Sequence, residues 1–179
     1  MCVFMLLLLS AVGCATLPHK TTLTDPPYTL TVVWNYSYIS QASYSFDAET
    51  GSTAHDSSEY GNDGTIHGAA RTDAGRYGRA ISMAGDDYIK IPASESLNIT
   101  SQIFISAWVN TNSSDPQGVV CRAGSYGLMI LSNYALRAYI NTTTLDTDPN
   151  VISPGKWSHV AMWYNGSLLR IYVNASLVA

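Results

Sequence analysis

Alternation is the feature that constrains this chain most. In IFISAWVN, Ile103, Ile105, Ala107 and Val109 share one parity while Ser106, Trp108 and Asn110 share the other. WSHVAMWY repeats the pattern, setting Val160 and Met162 against Trp157 and Trp163. Successive side chains of a strand point to opposite faces, so a period of two sorts residues between a core and a second surface. Further short runs (YSFD, GRAISMA, DYIKIP, GVVCRA, GLMILS, LRAYIN, LLRIYVN) recur between clusters of Gly, Asn, Asp and Ser, and almost nothing carries a helical period. The pattern predicts an all-β fold, a two-sheet antiparallel sandwich or jelly roll. WSHVAMWY, bulky on both parities, is expected at a sheet centre and covered on both sides.

With 179 residues, 46% of them hydrophobic and 12% charged, the chain is long enough for one domain with a sizeable core. Nine Lys plus Arg stand against thirteen Asp plus Glu, and the one local basic cluster, Arg71, Arg76 and Arg79, has Asp73 among it. Nucleic acid is therefore not an expected partner, because phosphate neutralisation needs a concentrated basic surface.

Residues 1–17, MCVFMLLLLSAVGCATL, are uncharged and end in small residues, the shape of a secretory signal. As a helix they would span about 25 Å, short of the ~30 Å hydrocarbon core. Ala11-Val12-Gly13-Cys14 resembles a lipoprotein box, which makes Cys14 a candidate for lipidation, although no Lys or Arg precedes Lys20. Contact with a membrane is expected only through this segment or its lipid. Residues 18–37, with Thr and Pro in TTLTDPPYTLT, are expected to form an extended linker, and 38–179 the globular domain. Cys121, in GVVCRAG, is expected to be a buried small hydrophobe, and no disulfide framework is visible. Six asparagines, Asn35, Asn98, Asn112, Asn141, Asn165 and Asn174, open Asn-x-Ser/Thr acceptors, which points to a glycosylated and exported, cell-surface or extracellular protein.

Four stretches carry a resemblance: YSFDAETGSTAHDSSEYGNDGTIHG, GRYGRAISMAGDDYIKIPASESLNI, IFISAWVNT and PGKWSHVAMWYNGSLLRIYVNASLVA. Together they resemble successive blocks of the laminin G-like domains of the concanavalin A-like lectin/glucanase superfamily. The resemblance implies that Trp157 and Val160 are core anchors and that Asn165-Gly166 makes a tight hairpin, a type I′ turn needing positive φ at both positions. Ala175 stands where members more often have Gly, so the next turn should be strained or change type. Members usually continue into further strands past this hairpin. The resemblance thus implies a C-terminally truncated domain, whose last hairpin would lack its neighbours.

The superfamily hosts enzymes and binders, so function rests on residues. Glu49, Glu59 and Glu95 form no Glu-x-Asp-x-x-Glu strand of the glucanase kind, Gly-x-Ser-x-Gly does not occur, and His55 and His67 match no zinc spacing. A non-enzyme is expected. Laminin G-like domains often hold calcium at the sheet rim, which makes Asp56, Asp86 and Asp87 candidate oxygen ligands. Tyr88, Trp108, Tyr126, Tyr134 and Tyr139 offer rings with polar handles for stacking on sugars. The reading favoured is a recognition or adhesion module for carbohydrate or glycoprotein. An accessory domain of an exported hydrolase and an inactive gene fragment stand as alternatives.

Overall fold

The computed structural model describes the backbone of residues 2–11, 19–25, 28–34, 39–47 and 50–179, and the side chains of 40–47 and 50–179. In chain order the first strands are β1 (Cys2–Ala11), β2 (His19–Asp25), β3 (Tyr28–Trp34), β4 (Ile39–Tyr44), β5 (Thr53–Ala54), β6 (Gly64–His67), β7 (Ala70–Thr72), β8 (Ala80–Met83) and β9 (Tyr88–Lys90). A 3-10 turn at Glu95–Leu97 precedes β10 (Ile103–Thr111), β11 (Gln117–Arg122), β12 (Tyr126–Ile130), β13 (Leu136–Ile140), β14 (Thr143–Asp146), β15 (Ser158–Tyr164), β16 (Leu169–Val173) and β17 (Ser176–Leu177).

Two antiparallel sheets dominate, as the alternation predicts. The larger runs β17-β16-β15-β10-β1-β8-β7, with β4 also paired to β1, and the smaller runs β11-β12-β13-β14. Register explains the core. Ile105 lies opposite Met162 and Ala107 opposite Val160, so one parity of β10 and β15 points inward together. These residues and Ile171 of β16 are at most 1% exposed and form a single cluster with Leu128, Ile130, Leu136 and Ala138 of the smaller sheet. Each such aliphatic side chain contributes about 1.5–3 kcal/mol by leaving water.

In the backbone, β1 runs antiparallel to β10, with Leu8 opposite Ser106, and meets β4 and β8 along its other edge. Cys14 lies outside the described residues. Within residues 18–37, β2 and β3 pair as a hairpin from His19 opposite Trp34 to Asp25 opposite Tyr28. Thr alternating with Leu and Val in both halves suits strand pairing.

Three expectations need correction. Residues 165–168 do not form the two-residue type I′ turn: Gly166 alone of the Asn165-Gly166 pair has positive φ (98°), and the Asn165 Oδ1 accepts hydrogen bonds from Ser167 N (3.1 Å) and Leu168 N (2.8 Å). The asparagine side chain thus organises a wider loop. The tight turn occurs one hairpin later, where Asn174 (φ 48°) and Ala175 (φ 66°) are both left-handed and Val173 pairs with Ser176. Second, β15 is central but its second face is only partly covered, since Ala161 is buried there while Trp157 and Trp163 remain partly exposed. Third, Cys121 is exposed on β11 and not a core residue.

Candidate recognition face

Asp56, the first calcium candidate, is engaged within its own loop. Its Oδ1 accepts Ser43 N (2.7 Å) and Ser58 N (2.9 Å), and its Oδ2 accepts Ser58 Oγ (2.6 Å) and Asn62 N (2.8 Å). Burial alone would raise the carboxyl's pKa, but these hydrogen bonds outweigh it and hold the group below its ordinary value. Buried Asn62 extends the network by donating from Nδ2 to the Gln41 carbonyl (2.7 Å). His55 faces Asp63 at 3.0 Å. Asp87 closes its own turn by accepting Ala84 N (2.8 Å), and Asp86 is exposed. Among the described residues no three His, Cys, Asp or Glu side chains gather as a metal site would require, so Asp56, Asp86 and Asp87 do not form one set.

The predicted aromatics do not converge either. Tyr88, on β9, is half exposed and stacks on His67 with ring centroids 4.6 Å apart. Tyr126 is buried, and its hydroxyl donates to the Leu97 carbonyl (3.0 Å). Tyr134 sits in a left-handed turn (φ 57°) with its hydroxyl donating to Asn112 O (3.3 Å). Tyr139 lies across β12 at Gly127, where a β-carbon would come within 2.4 Å of its ring. That tyrosine fills the space the glycine leaves, which is a sheet-stabilising role.

Trp108 is different, because the structure surrounds it with aromatic and cationic groups on the outer face of the larger sheet. It lies opposite His159, with centroids 5.4 Å apart, and Tyr77 meets it edge-on at 5.7 Å. The Arg76 guanidinium stands 5.0 Å from the Tyr77 ring and 5.2 Å from the Trp108 ring. Burial pushes the His159 imidazole below its ordinary pKa, so it presents a neutral ring at pH 7. Tyr77 keeps 61% of its surface in solvent.

Four residues along β10, or about 13 Å at 3.3 Å per residue, the same parity carries a second group. Phe104 lies opposite Trp163, and Trp163 opposite Arg170, whose guanidinium sits 5.6 Å over the indole. With Tyr172 these three line a shallow concavity of about 190 Å³. Between the two groups the floor is small: Ser106 faces Ala161, which faces Tyr172. The face therefore presents two ring-and-guanidinium stations separated by a floor of small buried residues.

Sequence reasoning singled out Trp108 but missed Phe104, Trp163, Arg170, Tyr172, Arg76 and Tyr77. The signal was present, since residues 104, 106 and 108 share the parity opposite to Ile103 and Ile105. A larger apolar crevice of about 390 Å³ lies elsewhere, with Phe46, Met83, Ile89 and Val119 in its wall. The described glycosylation candidates, Asn98, Asn112, Asn141, Asn165 and Asn174, are all exposed and lie outside or at the ends of strands; Asn35 lies outside the described residues.

Two stacked antiparallel sheets with an aromatic outer face define a lectin-like β-sandwich. Residues 83–179, just over half of the chain, match the laminin G family model of the concanavalin A-like lectin/glucanases superfamily, and the chain belongs to that family. No curated protein and no solved structure matches it.

Proposed function

We propose that the chain is a non-catalytic recognition module, displayed outside the cytoplasm, that binds carbohydrate, free or carried on a glycoprotein. The observation that carries this reading is the outer face of β10, β15 and β16. There Phe104, Trp108, Trp163 and Tyr172 are half-buried, held by cross-strand neighbours yet open on one side. Rings fixed in this way suit the apolar faces of sugars, and their polar edges suit hydroxyls. The exposure of the described sequons supports display, since each is open to the attachment of a sugar.

A glycan array probed with the intact chain tests the reading. Binding to at least one glycan class is expected, with about a tenfold loss in Trp163→Ala and in Trp108→Ala. Binding unaffected in both variants, with their melting temperatures near that of the parent, moves the site off this face. Absence of any glycan signal from folded protein refutes the function.

A further inference from the structure

Residues 165–168 join β15 to β16, and all four are exposed. The Asn165 Oδ1 sits in a cradle of three donors: Ser167 N (3.1 Å), Ser167 Oγ (3.1 Å) and Leu168 N (2.8 Å). Asn165 is also the one asparagine of the sequence that is followed by glycine. Gly166 holds φ at 98°, and its carbonyl accepts the Tyr164 hydroxyl (2.8 Å). Its own N–H has no acceptor among the described residues. A free backbone nitrogen without a neighbouring β-carbon thus follows directly on a side-chain amide whose carbonyl oxygen is polarised by three hydrogen bonds.

We infer that Asn165 is a self-modification site, at which the chain converts its own amide to aspartate and isoaspartate through a succinimide. The Gly166 amide gives its proton to water or hydroxide, and no internal hydrogen bond is lost when it does. Its nitrogen attacks Asn165 Cγ, the new N–Cγ bond forms, and the negative charge of the tetrahedral intermediate falls on Oδ1, where the three donors already point. The Cγ–Nδ2 bond then breaks and Nδ2 leaves as ammonia with a proton from water. Water adds to either carbonyl of the ring and opens it to the carboxylate, so solvent is the sole co-reactant. Other asparagines lack this combination. Asn62 is buried, with its Nδ2 engaged by the Gln41 carbonyl (2.7 Å), and Asn174 is followed by Ala175, whose β-carbon stands beside the nitrogen that would attack. The conversion adds one negative charge to the net −4 and erases the Asn165-Gly166-Ser167 acceptor, while a sugar on Nδ2 would block departure of the nitrogen. Glycosylation and deamidation are therefore exclusive fates of this loop.

The test is to age the full, unglycosylated chain near neutral pH beside an unstructured peptide of sequence WYNGSLL. Mass-spectrometric mapping after acid quenching follows the amide-to-acid exchange, and isoaspartyl methyltransferase labelling counts the isoaspartate. Asn165 is expected to convert in the folded chain at least as fast as in the peptide, ahead of every other asparagine, with a rate that rises with pH. Ser167→Ala removes one donor from the cradle and should slow the folded chain about threefold relative to the same change in the peptide. Ser167→Thr keeps the hydroxyl and should keep the rate. Thermal melts establish that both variants are folded, and the parent comparison with the peptide stands without either of them. A folded-chain rate below that of the peptide overturns the inference, because the loop then protects the amide. Equal slowing by Ser167→Ala in chain and peptide also overturns it, since the serine would then act through local sequence and not through the cradle.

Discussion

The Asp56 loop and the outer face of β15 exchange the roles their residue types imply. Asp56 is a carboxylate in polar sequence, yet four hydrogen bonds from Ser43, Ser58 and Asn62 close it off. Trp163 belongs to a run so apolar that it reads as core, yet it stands partly exposed with an arginine on its ring. The difference teaches that polarity marks a functional residue only when its hydrogen-bonding capacity is left over after the backbone has used it. Bulk marks a core residue only on the parity that faces the second sheet.

The largest test of that contrast uses two neighbours on β15. Met162 is fully buried and faces the core, so Met162→Ala should cost about 3 kcal/mol by lost transfer energy and a cavity. Trp163→Ala, despite deleting more atoms, should cost less, about 2 kcal/mol, because its side chain is already partly in solvent and its loss leaves no enclosed cavity. Urea unfolding of both variants measures this. A Trp163→Ala loss equal to or above that of Met162→Ala would mean the outer face is itself a core.

On the loop side, Asp56→Asn keeps one acceptor oxygen but turns a donor toward Asn62 N and Ser58 Oγ, and should cost about 2 kcal/mol. The pH dependence has a definite sign. Because the folded-state pKa of Asp56 is lowered relative to the ordinary carboxylate, its stabilisation is present above about pH 4 and is lost as pH falls through the folded value. The stability gap between parent and Asp56→Asn should therefore be constant near neutrality and narrow on acidification. A gap unchanged down to pH 2 would mean that the charge is not what organises the loop.

Much of the architecture was legible because period two is a local signal: the inward parity of β10 and the pairing of β10 with β15 follow from the alternation of Ile, Ala and Val. The site was less legible. Whether Trp163 faces solvent depends on whether a further layer covers the sheet, and strand parity says nothing about that. Whether Asp56 is available depends on Ser43, thirteen residues before it, and on Asn62, six after. Arg76 reaches Trp108 from a loop more than thirty residues earlier, a contact no spacing encodes. The turns failed for a smaller reason, since Asn-Gly permits a type I′ geometry but does not require it, and the Asn165 side chain selects another.

The smallest expected effect lies in the turn that did adopt that geometry. Ala175 holds φ at 66°, a conformation that costs an L residue with a β-carbon about 1–2 kcal/mol and costs glycine nothing sterically. Part of the gain from Ala175→Gly is offset by glycine's greater freedom in the unfolded chain, so a net stabilisation of about 0.5–1 kcal/mol is expected. Asn174 serves as the control at the adjacent position. It tolerates the left-handed region, and its Oδ1 accepts His159 N (3.0 Å), so Asn174→Gly should destabilise by about 1 kcal/mol despite the more permissive backbone. Paired melts of the two variants decide whether the turn is limited by strain at 175 or by the hydrogen bond at 174. Since that bond ends on the backbone of His159, which packs against Trp108, Asn174→Gly should also loosen the near station of the recognition face, while Ala175→Gly leaves glycan binding unchanged.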